Sequence, residues 1–135
     1  RMTHMAFKLY STSDGRVPPI EYLPVTAITP SAGAAMVLSS GKLALATGTT
    51  KPTYICARQD SAARTAGDLI PVFRIEPDMI FETKFSVAAT AVKVGDKVTL
   101  HATDGAQVTA TTTNGVAEVV SMDGTAAGSV CRVRF

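Results

Sequence analysis

The sequence predicts an all-β fold, a small β-barrel or β-sandwich built from two related β units, with an extended N-terminal arm and at most one short helix. Three observations carry this. Short runs alternate apolar and polar residues with period two, the mark of half-buried strands. Turn dipeptides ending in glycine separate those runs at short intervals. Two stretches of the chain also resemble each other at almost one offset.

Phe81, Thr83, Phe85 and Val87 alternate with Glu82, Lys84 and Ser86, so a strand is expected over Met79 to Val87. Val98, Leu100 and Ala102 alternate with Lys97, Thr99 and His101, and Cys131, Val133 and Phe135 alternate with Arg132 and Arg134. Gln107 to Thr113 is rich in Thr and Val, which suit a pleated surface. The turns are Ser40-Gly41, Asp104-Gly105, Asn114-Gly115 and Asp123-Gly124. Glycine there permits the positive φ that tight hairpins need. The one helical candidate is Ser61 to Ala66, with Asp60 as its cap and Gly67 as its stop.

Residues 5–24 read as an extended, proline-rich arm. Pro18, Pro19 and Pro24 donate no ladder hydrogen bond and hold the residues before them extended. The apolar residues between them need cover from the domain's own body, a sister subunit or a partner. Residues 1–4 precede Met5 and include a His-Met dipeptide common at cloning junctions, so Met5 is the expected native start. The remaining chain, 25–135, is expected to form the barrel domain.

The repeat lies within that domain. Gly33, a strand, a turn ending in Gly41 and then Ala46-Thr47 match Gly95, a strand, a turn ending in Gly105 and then Ala110-Thr111. Thr65-Ala66-Gly67 followed by Val72-Phe73-Arg74 matches Ala126-Ala127-Gly128 followed by Val133-Arg134-Phe135. The offsets agree, 62 (95 − 33) and 61 (128 − 67). Two β units are therefore expected, about 31–75 and 93–135, joined by the strand Met79 to Val87. Their apolar faces are expected to close on each other.

The 135 residues suit one domain that buries a core without metal or disulfides. Hydrophobic residues make up 46% of the chain, which excludes a disordered chain. A net charge of +2, with no Lys/Arg run and few aromatics, gives no footprint for nucleic acid. No apolar stretch approaches the ~18 residues of a membrane span, and no signal-peptide h-region is visible. Cys56 and Cys131 both lie in apolar runs and are expected as buried reduced thiols; a disulfide is not required.

No catalytic, cofactor or metal site is expected. Outside the first four residues His101 is the only histidine, and it sits on the polar side of a strand. No nucleophile-elbow sequence, Cys-x-x-Cys pair, calcium loop or phosphate-binding glycine loop is present. Glu76 and Asp78 flank Pro77 and read as a solvated bend rather than an acid–base pair. The surface is expected to be small and neutral, rich in Thr, Ser and Ala, which suits flat contacts with protein neighbours.

Several motifs together resemble a family of short capsid decoration, or cement, proteins of tailed bacteriophages and prophages. They are Val94-Gly95-Asp96-Lys97-Val98-Thr99-Leu100, the Thr-rich hairpin, Gly115-Val116-Ala117, and Ala127-Gly128 before Val130-Cys131-Arg132-Val133-Arg134-Phe135. Ala6-Phe7-Lys8-Leu9-Tyr10 and Arg16-Val17-Pro18-Pro19-Ile20-Glu21-Tyr22-Leu23-Pro24 look like the openings of prophage head-decoration proteins. The similarity covers most of Met5 to Phe135, and its motifs are structural rather than catalytic. It implies a β-barrel or β-tulip body on the outside of a phage head, made in the bacterial cytoplasm and carried on the virion. It further implies a homotrimer on the major capsid protein, with the arm adding to capsid-protein strands. By that analogy Phe7, Leu9, Tyr10, Pro18, Pro19, Tyr22 and Leu23 contact the shell. The prolines depart from a plain strand-forming arm, so strand addition is expected only over Phe7 to Thr12. Deleting Met5 to Pro24 is then expected to leave the barrel folded.

Two other classes compete with this reading. One is a β-barrel adhesion or head-fibre-base module that binds a host surface or another virion protein; a long repetitive stalk would favour a fibre, and none is present. The other is a small hydrolase using His101 with Asp96 or Asp104, which unimpaired function of His101→Ala would remove.

Overall fold

A computed structural model describes residues 6–135. The expected cloning remnant at 1–4, and Met5, lie outside the described residues. Ten strands form: β1 (Lys8–Ser11), β2 (Ile20–Pro24), β3 (Ala35–Ser39), β4 (Lys42–Leu45), β5 (Tyr54–Cys56), β6 (Leu69–Arg74), β7 (Ile80–Lys84), β8 (Lys97–Val98), β9 (Ala117–Met122) and β10 (Val130–Arg134). They make two five-stranded antiparallel sheets, ordered β1-β7-β10-β9-β8 and β2-β6-β5-β3-β4. Neither closes into a barrel, and the arrangement is compatible with a small β-sandwich.

Local chemistry sets several of these elements. Ser40 (φ 52°) and Gly41 (φ 80°) both sit in the left-handed region, the type I′ geometry that turns β3 into β4 in two residues. In β7 the inward residues Phe81 and Thr83 are buried while Ile80, Glu82 and Lys84 are not, the expected two-residue alternation. Val98 and Leu100 are buried, but so is Thr99 between them, and Ala102 and Val87 are exposed, so the expected alternation does not hold through this run. The Thr-rich run Gln107 to Thr113 forms no named strand. It is held to the β8 end by Thr109 N–H to Thr99 O (2.9 Å) and Thr99 N–H to Thr111 O (3.0 Å).

The two sheets repeat one strand plan. β2-β6-β5-β3 in one corresponds to β7-β10-β9-β8 in the other. Backbone bonds repeat with it. Gly67 donates to Val25 O (2.8 Å), and Gly128 donates to Phe85 O (2.8 Å). Val25 N–H donates to Asp68 O as Phe85 N–H donates to Ser129 O. Gly33 donates to Cys56 O as Gly95 donates to Val119 O, both at 2.8 Å. Just past β2 and just past β7 the chain also makes one isolated parallel bridge, Val25 with Leu43 of β4 and Phe85 with Val108. The units thus begin earlier than the sequence implies: β2 opens the first, and β7 opens the second rather than joining the two.

Packing follows from this plan. Val25, Met36, Leu43, Tyr54, Cys56, Ile70 and Val72 form a core inside the first unit. A larger core combines Phe81, Phe85, Val98, Leu100, Val108, Val119, Cys131 and Val133 with Phe7 and with Ala35, Ala46 and Ile55 from the first unit. The faces therefore do not simply close on each other. The first unit fills its own inside and lays part of its other face, through Ile55 and Phe73, onto the second unit.

Two expectations are corrected here. Residues 6–24 are not an arm set apart from the barrel domain but are covered by the domain's own body: β1 pairs with β7, and β2 pairs with β6 along its whole length. Phe7 is 1% exposed and packs edge-on against Phe135, with centroids 5.3 Å apart. Its N–H donates to Gly33 O (3.0 Å), and a Cβ on residue 33 would lie 2.7 Å from the Ala6 Cβ, so glycine is needed for that close approach. The helix over Ser61 to Ala66 does not form; the segment is a bend and loop. Instead of capping, the Asp60 carboxylate takes the guanidinium groups of Arg58 (2.7 Å) and Arg64 (2.6 Å).

Candidate functional site

The seven residues assigned to shell contact do not form one surface. Phe7 lies inside the main core, Leu9 packs against it, and Leu23 packs against the core of the first unit. Tyr10 is exposed on the sheet that contains β7, where the Arg132 guanidinium stands over its ring at 4.9 Å. Pro18 is half-buried and Pro19 exposed in the loop before β2. Tyr22 is 64% exposed on β2.

Tyr22 belongs to an apolar ribbon. The register sets Ile20 opposite Phe73, Tyr22 opposite Pro71 and Pro24 opposite Leu69, so all six share one face of the β2–β6 pair. Ile20 and Leu69 are 50% and 58% exposed. At the Ile20 end of the ribbon Phe73 stacks with Phe81, centroids 6.2 Å apart, so the ribbon continues directly from the packing between the units. Ile20, Leu69 and Pro71 were not among the sequence-derived contacts. The signal for Leu69 and Pro71 is the unbroken apolar run Leu69-Ile70-Pro71-Val72-Phe73, which supplies both faces of a strand when only one is needed for its own core.

The corresponding face of the second unit is charged. Ile80, Glu82 and Lys84 replace Ile20, Tyr22 and Pro24, and Val130, Arg132 and Arg134 replace Leu69, Pro71 and Phe73. Arg132 pairs with Glu82 (3.0 Å) and Asp123 (2.8 Å), and Arg134 with Glu118 (3.3 Å). One strand plan thus carries a solvated, ion-paired face in one unit and an apolar one in the other.

The loop leading to β2 is fixed by Asp78. Its carboxylate accepts from Arg16 at 2.9 and 3.0 Å and from the Ser13 N–H (3.0 Å) and Oγ (2.7 Å). The Arg16 guanidinium, with the Ser13 donors behind it, holds the Asp78 carboxyl far below the usual carboxylate range. The Glu76–Asp78 pair is therefore a turn whose second carboxylate latches a loop.

Other chemical groups lie apart. His101 Nδ1 is 3.2 Å from Asp104 and 3.3 Å from the Thr103 hydroxyl, at a partly exposed turn. Cys56 and Cys131 are free and buried. Burial pushes both thiols up, that of Cys131 to about 12, which leaves them protonated and unreactive. A shallow groove of about 320 Å³ is lined by Lys51, Lys97, Glu118, Arg134 and Phe135, with no hydroxyl, thiol or imidazole among them. Among the described residues no group of three His, Cys, Asp or Glu side chains is placed to hold a metal, and no helix is long and apolar enough to cross a membrane. No family model matches this sequence, and a search of curated proteins finds no significant relative.

Proposed function

We propose that this domain is a structural decoration protein that binds the outside of a tailed-phage capsid and stabilises the shell. The observation that carries the reading is the exposed apolar ribbon through Ile20, Tyr22 and Leu69. It lies on and beside the segment that the resemblance assigns to shell contact. A contiguous apolar patch of this kind on a small domain marks a protein interface more often than a solvated face. The resemblance, which covers most of Met5 to Phe135, supplies the class of partner: the major capsid protein.

The physical logic of a cement protein fits such a surface. One ribbon is small compared with the ~800 Å² per partner of a standard stable interface. A homotrimer engages three such contacts at once, and effective concentration multiplies weak contacts into firm attachment. The buried ring of Phe7 and the latch at Asp78 keep the presenting strands in place, so little ordering entropy is lost on docking.

Heating expanded shells of the major capsid protein from the same genome, with and without the purified domain, tests the proposal. Decoration raises the temperature at which shells rupture, and Ile20→Asp removes the gain. Shells that rupture at one temperature regardless of added protein contradict it, and direct attention to a host-surface or other virion partner.

A further inference from the structure

We propose that the outer edge of β2 is a docking site for an extended segment of another protein, which adds antiparallel to β2 as a further strand and lays apolar side chains along Ile20 and Tyr22. The inference concerns the same Ile20–Tyr22 surface as the capsid reading but does not depend on it, because it is argued from the strand plan and its test uses no shell.

The first argument is the repeated strand plan. β7 is the counterpart of β2, at an offset of 60 (85 − 25 for the paired residues Phe85 and Val25). In the second unit the outer edge of β7 carries an added antiparallel strand, β1, which pairs Lys8 with Glu82 and Ser11 with Ile80. Sixty positions earlier stand Tyr22 and Ile20. Among the described residues no strand pairs with Ile20 or Tyr22 on that edge; β4 meets it only at the strand's end, through the Val25–Leu43 bridge. The molecule thus contains one filled and one open example of the same edge.

The second argument is hydrogen-bonding capacity. Val25 donates to Asp68 O and accepts from Gly67, so its backbone faces β6. Alternation then turns Glu21 and Leu23 toward β6, and Ile20 and Tyr22 outward. On the far side of β6, the bonds from Ala57 N–H to Pro71 O and from Ile75 N–H to Thr53 O fix the same parity. Ile20 and Tyr22 therefore present two N–H donors and two carbonyl acceptors. Pro19 and Pro24 bracket them, which limits pairing to a short run and sets its register.

The third argument selects an apolar guest. The ribbon beside this edge is continuous with the packing between the two units, where Phe73 stacks on Phe81. The equivalent ribbon beside β1 is ion-paired, and there the added strand turns Lys8 and Tyr10 outward, Tyr10 lying under Arg132. A strand added to β2 instead meets Ile20, Tyr22 and the chain of Pro71 and Leu69 behind them. Main-chain bonds hold such a guest, and apolar residues at alternate positions select it. A second copy pairing symmetrically through this edge is the competing occupant.

The test uses the strand that fills the equivalent edge as probe, with Lys8 made apolar to suit the ribbon: an acetylated, amidated peptide of residues 6–11 carrying Lys8→Val, Ala-Phe-Val-Leu-Tyr-Ser, titrated into the ¹⁵N-labelled full chain. The expected result is saturable movement of the Ile20 and Tyr22 amide signals at millimolar peptide, with slowed hydrogen exchange at both. Tyr22→Pro removes one outward N–H without touching the β6 ladder and weakens binding about tenfold. Tyr22→Asp, which keeps the N–H and places a charge in the ribbon, weakens it as well. Silent Ile20 and Tyr22 amides, or changes confined to Ile80 and Glu82, overturn the proposal. Signals at Ile20 and Tyr22 that broaden with protein concentration alone overturn the choice of guest in favour of a second copy.

Discussion

Phe7→Ala measures how firmly the N-terminal segment is built into the domain. The ring is 1% exposed, sits in the main core and contacts Phe135 edge-on at 5.3 Å. Burying a phenylalanine contributes about 1.5–3 kcal/mol, and an aromatic pair about 0.5–1.5 kcal/mol more. The cavity left behind adds to the loss, so the variant should be destabilised by about 3–5 kcal/mol. That is a large share of the ~5–15 kcal/mol that holds a typical domain together. With a urea slope of about 2 kcal/mol per molar, the unfolding midpoint falls by about 2 M. Tyr22→Ala, at a 64% exposed position on β2, the next strand along the chain, is the internal control and should change stability by no more than about 0.5 kcal/mol. A loss below about 1 kcal/mol for Phe7→Ala would refute the reasoning and return residues 5–24 to the status of a detachable arm.

Three further outcomes follow from the structure. Deleting residues 1–24 removes β1, β2 and Phe7 together, and should yield a chain without a cooperative thermal transition by circular dichroism; a cooperative, soluble truncation would contradict the packing described. Asp78 has a folded-state pKa below its unfolded value, so its contribution is complete above about pH 4 and is lost as pH falls through the folded pKa. The melting temperature of the wild type should therefore drop more steeply below pH 4 than that of Asp78→Asn, and parallel curves would sink the latch. Cys56 and Cys131 should resist a thiol-specific reagent at pH 8 in the native state and react as two equivalents in denaturant, whereas rapid native labelling would contradict their burial.

The strand class was legible because burial alternates along β7 and β10: Phe81, Thr83, Cys131 and Val133 are inside, and Glu82, Lys84, Arg132 and Arg134 are not. The repeat was legible through its glycines. Gly33, Gly67, Gly95 and Gly128 all have positive φ, so the shared backbone path demands the same residue at matching positions. What escaped was tertiary. Phe7-Lys8-Leu9 is too short an alternation to reveal that β1 pairs with a strand about seventy residues away. The prolines around β2 suggested a detached arm, yet Pro24 sits at an end of the strand, and the edge position removes the need for further donors. Asp60 looked like a helix cap because its arginine partners, Arg58 and Arg64, hold it only once the loop is folded. The ribbon was half visible: Tyr22 could be named from the arm, but Leu69 and Pro71 joined it only through the β2–β6 register.

Co-sedimentation of the purified domain with expanded shells of the major capsid protein from the same genome tests the central proposal most directly. The account predicts saturable binding at an integral ratio to capsid subunits, retained by a Lys84→Ser variant on the charged face and lost by Ile20→Asp on the apolar one. Folded wild-type protein that stays in the supernatant at every shell concentration would contradict it.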